Sequence, residues 1–291
     1  MAHTDPFLLG PLGRMHPLPG VPVGDGVDVP EVQVGGTATS VRGRPTTDVW
    51  ATHRTYSFRW PLARTPEAEA LLIRSRRLYR GADESLVLRL LDPGVPNLLT
   101  LDESVCGAET RIPAASTTGA VDPVSWATVV GGVSSLVAVG LDVPDPLVGY
   151  ADVVAQWAGS QCVAAYLAQR RIPVLGRAVT FSAYVRGAGT LQAVISSGTP
   201  TVGPLTALTG AWQRVTASLP AGTTGESAFC GLLPGAVGTT VQTTGWQAEH
   251  GITATPWTPG GGCPEVEITG FTDGYRALGR RAVEMTLTEV V

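Results

Sequence analysis

With 291 residues the chain is long enough for about two domains, each with its own core. Its 36 glycines and 23 prolines are scattered along the whole length and only 15% of residues are charged, which suits short strands and tight turns better than helices or disorder. A net charge of −4 argues against a nucleic-acid partner held by phosphate neutralisation.

Lysine is absent, so arginine carries all the permanent positive charge. Codon bias in a GC-rich genome, such as that of an actinobacterium or one of its phages, explains this and says little about mechanism. The cysteines are Cys106, Cys162, Cys230 and Cys263, none at C-x-x-C spacing, and the histidines are His3, His16, His53 and His250. No metal site or cofactor is expected from that set; scattered buried thiols are, with one disulfide left open. The opening "MAHTDPFLLGPLGRMHPLPG" is broken by Pro and Gly and lacks the apolar core of a signal peptide. No run of about 18 apolar residues is present for membrane insertion. Synthesis in the cytoplasm is therefore expected.

In chain order, "VDVPEVQVGG" and "TSVRGRPTTDVW" read as short strands with turns at Gly35-Gly36 and Arg44-Pro45. "HRTYSFRW" alternates, with Tyr56, Phe58 and Trp60 on one face and Thr55, Ser57 and Arg59 on the other, which predicts a strand. A helix is predicted over 65–81: Thr65 caps, Pro66 takes the first helical position and Glu67 and Glu69 suit the positive end. Ala68, Leu71, Leu72, Ser75, Leu78 and Tyr79 recur at helical spacing, and Gly81 ends the run. Its arginines, Arg74, Arg76, Arg77 and Arg80, read as a solvated helix end, with a partner surface as the alternative. "ESLVLRLLDPGVPNLL" is a buried strand leaving through an Asp-Pro-Gly turn.

From about Asp102 small residues dominate, with strands in "VSSLVAVGLDV" and "QCVAAYLA". "GRAVTFSAYVRGAG" places Val179, Phe181, Ala183 and Val185 on one face and Thr180, Ser182, Tyr184 and Arg186 on the other. "TLQAVIS", "WQRVTASLP", "SAFCGLL" and "GWQAEHGITATPWTPG" follow at regular spacing, a pattern that predicts a sandwich or jelly roll. After the Gly-rich "TPGGGCP", Val283, Met285 and Leu287 alternate with Glu284, Thr286 and Thr288. This last strand matches the N-terminal region in character. The expectation is an all-β chain in which a discontinuous β-sandwich with one helix, residues 1–101 completed by 264–291, carries an inserted jelly-roll sandwich, residues 102–263.

The segment "FSAYVRG … AWQRVTASLP … GWQAEHGITATPWTPG" resembles a jelly-roll module common in phage tail proteins and similar to carbohydrate-binding modules. The motif positions are Trp246, Gln247, Glu249, Gly251, Thr255, Pro256 and Trp257, over roughly 176–260. The flanks, "VPEVQVGGTATSVRG", "RTYSFRWPLARTPEAEALLIRSRRL", "LLDPGVPNLL" and "GRRAVEMTLTEV", resemble a minor tail or distal-tail protein of actinobacterial siphophages. That resemblance implies a virion structural protein, found in the phage tail. It would assemble with itself as a ring, a hexamer, between the tail tube and the tail-tip hub. The alternative is a glycan-binding adhesin whose partner is host cell-wall polysaccharide. The family carries no catalytic residues.

Enzymatic motifs are missing from the sequence. Glu249 and His250 are adjacent, so on a strand they point to opposite faces and cannot act on one atom. A structural hydrogen-bonding role is expected for Glu249. Asp142 and Asp145 in "LDVPDP" read as a turn rather than a carboxylate pair. "VGGTATS" and "TPGGGCP" read as turn and linker glycines. For glycan binding the candidates are Tyr184 and Arg186 on one strand and Trp212 and Arg214 on the next, each aromatic set among polar neighbours. The alternative for both aromatics is an edge or interface role. Trp50, Trp60, Trp246 and Trp257 are expected in the core.

Overall fold

The computed structural model describes residues 6–19, 27–39, 45–60, 87–105, 127–129, 134–138, 143–147, 155–159, 166–168, 171–236, 239–275 and 281–290. The predicted helix over 65–81 lies outside these residues. The described strands begin with β1 (Leu8–Gly10), β2 (His16–Pro17), β3 (Glu31–Thr39), β4 (Pro45–Trp60) and β5 (Leu88–Leu91). A short helix α1 (Leu101–Val105) precedes β6 (Ala127–Val129), β7 (Ser134–Ala138), β8 (Ala155–Gly159) and β9 (Tyr166–Ala168). Then come β10 (Ile172–Pro173), β11 (Val179–Ala188), β12 (Thr190–Ser196), β13 (Pro200–Val202) and β14 (Thr206–Ala207). The chain ends with β15 (Gln213–Leu219), β16 (Ser227–Pro234), β17 (Thr240–His250), β18 (Glu265–Tyr275) and β19 (Arg281–Glu289). The architecture is mainly β and antiparallel, as the composition predicted. It divides into two compact units, one of Met1–Pro11, Met15–Leu91 and Pro264–Val291, the other of Leu12–Arg14 and Asp92–Cys263.

The first unit is a seven-stranded sheet in the order β2-β1-β5-β18-β19-β4-β3. The alternation read from the sequence sets its core: Tyr56, Phe58 and Trp60 are buried while Arg59 is exposed. Val283, Met285 and Leu287 are buried on the neighbouring strand, with Met285 opposite Phe58. Phe7 meets Phe58 edge-on at 5.2 Å, Trp60 stacks on it at 5.6 Å, and the Trp60 Nε1–H donates to the Pro19 carbonyl at 3.0 Å. Burying a side chain the size of Phe58 stabilises by about 2–3 kcal/mol. Two ion pairs, Arg54–Glu289 at 3.1 Å and Arg89–Glu265 at 2.8 Å, tie β18 and β19 to the earlier strands.

One expectation fails here. No turn forms at Gly35-Gly36; β3 runs through both glycines to Thr39 and pairs with β4 along its length. The register shifts between Val34, which faces Ala51, and Gly35, which faces Val49, so the extra residue is Trp50 on β4 and the glycine pair continues the ladder of β3.

The second unit has two five-stranded antiparallel sheets, one in the order β15-β11-β17-β8-β7, the other β10-β16-β12-β13 with β14 also on β12, and a separate β6-β9 pair. Strands β11 and β15 pack against β12. Val179, Phe181, Ala183 and Val185 of β11 are fully buried, as the period-two pattern requires, and Phe181 meets Trp246 of β17 edge-on at 5.0 Å. Cys230 and Cys263 are buried in this unit. Burial, with a smaller contribution from the Glu103 carboxylate, pushes the Cys230 thiol well above its ordinary range, so it is unreactive at neutral pH.

Candidate functional site

The polar face of the β15-β11-β17 sheet brings the motif residues and the binding candidates together. Register sets four rows across it: Ser218, Thr180 and Glu249; Thr216, Ser182 and Gln247; Arg214, Tyr184 and Thr244; and Gln242 beside Arg186. Trp212, just before β15, continues the Arg214, Thr216, Ser218 series and stacks with Arg186, so it ends the fourth row. A bulge in β17 makes this possible. Ser182 pairs with Gln247 and Tyr184 with Thr244, so β17 carries one extra residue. Gly245 sits there at φ 61°, a left-handed conformation that glycine adopts freely. The extra residue flips the alternation, so Val241 and Thr243 before it and Trp246 and Ala248 after it all point into the sandwich. Trp246 is fully buried and its Nε1–H donates to Thr243 Oγ1 at 2.7 Å.

The face divides into two halves with different coverings. At the Thr180 end it is closed: Thr180, Ser182, Thr244, Gln247 and Glu249 are all buried. The strand ends at His250, and residues 251–260 are not the tail of a strand, as the motif suggested, but a loop held by the side chains of β17. Glu249 Oε1 accepts from Gln247 Nε2 at 2.9 Å and from the Thr255 N–H at 2.8 Å, while Oε2 accepts from Thr255 Oγ1 at 2.6 Å. Gln247 Oε1 accepts from the Thr258 N–H at 2.9 Å. Thus Glu249 is a structural acceptor, buried and on the opposite side of the strand from His250, whose Nε2 lies 3.0 Å from the Pro173 carbonyl. Trp257 is buried with Val105 and Leu147, and Tyr184 packs against that cluster.

One residue that sequence reasoning passed over holds the buried part of β17 that lies beyond its pairing with β8. Asn97 is fully buried; its Nδ2 donates to Ser104 Oγ at 2.9 Å, the Trp246 carbonyl at 3.1 Å and the Thr258 carbonyl at 2.9 Å. Its Oδ1 accepts from the Ala248 N–H at 3.2 Å and the Leu99 N–H at 3.3 Å, and the Leu98 N–H donates to the Ala248 carbonyl at 2.7 Å. Next to it, Thr100 and Glu103 form a capping box, with Thr100 N to Glu103 Oε2 at 3.0 Å and Glu103 N to Thr100 Oγ1 at 3.2 Å. The spacing T-x-x-E in "TLDE" is the signal that could have found this helix. The glycines of "TPGGGCP" are not a loose linker. Gly261 N donates to the Leu99 carbonyl and Gly262 N to the Asn97 carbonyl, and a Cβ on Gly260 would strike the Thr100 carbonyl.

The four binding candidates share one face but have two roles. Tyr184 and Arg214 are paired across β11 and β15, with the guanidinium 5.5 Å from the ring centroid. Arg214 Nη2 donates to Ser182 Oγ at 2.8 Å and Nη1 to the Thr255 carbonyl, so this pair is tied to the closing loop. Arg186 and Trp212 lie in the next row, and like Tyr184 and Arg214 they are half-buried. There the Arg186 guanidinium sits 4.5 Å over the Trp212 ring, and its Nε–H donates to Gln242 Oε1 at 2.6 Å. Asp145 is exposed in a 3-10 turn whose Leu147 N–H donates to the Pro144 carbonyl; Asp142 lies outside the described residues. Among the described residues no cluster of His, Cys, Asp and Glu could hold a metal ion.

No protein-family model matches the chain, and no curated protein matches it in sequence. Among solved structures it is similar to the CBM22-1 xylan-binding domain from Paenibacillus barcinonensis Xyn10C, at 12% identity and a TM-score of 0.34, over 45% of this chain and 88% of that one. It is also similar to a CBM4 structure, at 16% identity and a TM-score of 0.33, over 47% of this chain and 94% of that one. A third is TmCBM61 in complex with β-1,4-galactotriose, at 11% identity and a TM-score of 0.32, over 47% of this chain and 95% of that one. These neighbours are carbohydrate-binding modules, and the likeness assigns no ligand to this chain.

Proposed function

We propose that the second unit binds a glycan without transforming it, at the half-exposed end of the β15-β11-β17 face. The observation that carries this reading is the row of Trp212, Arg186 and Gln242. An indole held by a stacked cation, beside an amide that fixes that cation, offers an apolar ring surface with oriented polar groups at its rim. A sugar ring would stack its C–H face on Trp212 and take hydrogen bonds from the Arg186 and Gln242 side. Tyr184 and Arg214 would form the floor where the closing loop ends the platform. Glycan-array binding by the full chain tests this. Trp212→Ala should weaken any retained glycan about tenfold or more, the cost of losing one stacked aromatic anchor. No retained glycan, or binding indifferent to Trp212→Ala, would refute it.

A second reading concerns setting. The resemblance of the flanks favours a phage-tail component in which the first unit assembles as a ring. Strand β3, nine residues long, ends the order of the described sheet and offers backbone groups for a neighbouring strand. Mass spectrometry of virions and the oligomeric state of the purified chain test it; a monomer absent from particles would remove it.

A further inference from the structure

We propose that β3 pairs antiparallel with β3 of a second copy of this chain, about a two-fold axis at Gly35, joining two sheets edge to edge. This interface lies in the first unit and is independent of the glycan reading above. Strand β4 is 16 residues long, and β19 pairs with it from Thr55 to Trp60. From Pro45 to Arg54 its strand partner among the described residues is β3. The two strands therefore run on past β19 as a ribbon about 30 Å long. A two-stranded ribbon is marginal in water and is stabilised by a third strand.

The hydrogen bonds at the base of the ribbon fix which way its backbone groups point. The Ser57 N–H donates to the Asp28 carbonyl at 2.9 Å, the Asp28 N–H to the Ser57 carbonyl at 3.3 Å, and the Thr55 N–H to the Pro30 carbonyl at 3.0 Å. Bonded and non-bonded pairs alternate along an antiparallel ladder, and the register is unbroken from Asp28 to Val34. Val32, Val34, Gly36 and Ala38 therefore direct their N–H and C=O groups to β4. Glu31, Gln33, Gly35, Thr37 and Thr39 direct theirs outward. The extra residue Trp50 belongs to β4 and leaves this alternation of β3 intact.

Nothing in β3 blunts that outward edge. Its nine residues contain one charge, Glu31 at the start, and no proline, and Glu31 and Val32 are exposed. Edge strands that avoid their own copies carry charges, prolines or bulges instead. The other edge of the sheet, β2, is two residues long and includes Pro17, so it offers no matching strand for head-to-tail addition. Strand β3 matches itself. With the axis at Gly35, Gln33 lies opposite the partner copy's Thr37 and Glu31 opposite the partner copy's Thr39. Each outward residue then meets an outward residue, which gives about ten backbone hydrogen bonds. No like charges are opposed, and the acidic start of each strand meets the end that leads in sequence to Arg42 and Arg44.

Sedimentation velocity of the full chain from about 1 to 100 µM tests this, and a dimer is expected at the upper end. Gln33→Lys combined with Thr37→Lys opposes like charges on both sides of the axis and should weaken the dimer about tenfold or more. Gln33→Lys combined with Thr37→Glu opposes unlike charges and should restore it. Gln33→Pro removes one outward N–H from each copy, which an edge strand tolerates, and should give a monomer whose β18 and β19 amides keep their exchange protection. A parent that stays monomeric at about 100 µM overturns the proposal. So does a dimer indifferent to these variants, or one that the Lys and Glu combination fails to restore. A ring of more than two copies that survives Gln33→Pro also overturns it and leaves the ring reading standing.

Discussion

Removing the Glu249 carboxylate should release the loop over residues 251–258 before it unfolds anything else. Glu249 is 3% exposed and accepts three hydrogen bonds, two from Thr255 and one from Gln247. Bonds to a charged acceptor contribute about 1.5–3 kcal/mol each, and a donor left buried and unpaired costs about 1–3 kcal/mol. In Glu249→Gln, one oxygen can still accept from Gln247 and the Thr255 amide, now as neutral bonds. The new amide faces Thr255 Oγ1, which already accepts from Gln247 Nε2 at 3.0 Å. The net loss is then about 2 kcal/mol; Glu249→Ala, which strands the Thr255 N–H, should lose about 3–5 kcal/mol. With a urea dependence of about 2 kcal/mol per molar, Glu249→Gln should lower the midpoint of the affected transition by about 1 M. Amide exchange gives the local readout. The Thr255 and Thr258 amides should lose protection in both variants, while amides of β4 and β19 in the first unit keep theirs. If both variants unfold within about 0.5 kcal/mol of the parent and the Thr255 amide stays protected, Glu249 does not latch the loop and the reasoning fails.

Asn97→Ala should destabilise the second unit by about 3–5 kcal/mol, because it leaves the Ala248 N–H and the Trp246 and Thr258 carbonyls without their partner; chemical unfolding measures this, and a loss under about 1 kcal/mol would refute the role. Gly245→Ala combines a left-handed backbone with a Cβ 2.9 Å from Leu147 and Tyr184 side-chain atoms, so a loss of about 2–4 kcal/mol is expected. If Gly245→Ala is neutral in thermal unfolding, the bulge does not depend on that glycine.

The division between what was legible and what was not follows the range of the forces involved. Strand identity rests on period-two alternation, a local property, and it read through: Tyr56-Phe58-Trp60, Val283-Met285-Leu287 and Val179-Phe181-Ala183-Val185 all point to cores. The strand predicted at "TLQAVIS" is the observed β12, Thr190–Ser196. The opposite orientation of Glu249 and His250 also follows from adjacency on a strand. Glycines misled in both directions. Gly35-Gly36 looked like a turn and lies in the continuous ladder of β3, opposite a bulge in β4, while Gly260–Gly262 looked like slack and lies against the backbone of residues 95–100. A glycine marks a backbone constraint, but the sequence does not say whether that constraint is a reversal, a bulge or a close approach.

The candidate site divides in the same way. Sequence alone determined that Tyr184, Arg186, Trp212 and Arg214 lie on the polar side of two strands, because alternation fixes which way each side chain points. It could not determine which of them are tied to the closing loop. That depends on Asn97 reaching Trp246 and Thr258, 149 and 161 residues away, and on Glu249 holding a loop against its own strand. Those contacts are set by the tertiary path of the chain and leave no periodic trace. So the alternation chose the face, while the packing of residues 97–105 and 251–258 decided that Tyr184 and Arg214 are tied to the closing loop and its cluster and that Arg186 and Trp212 lie beyond it, with all four half-buried.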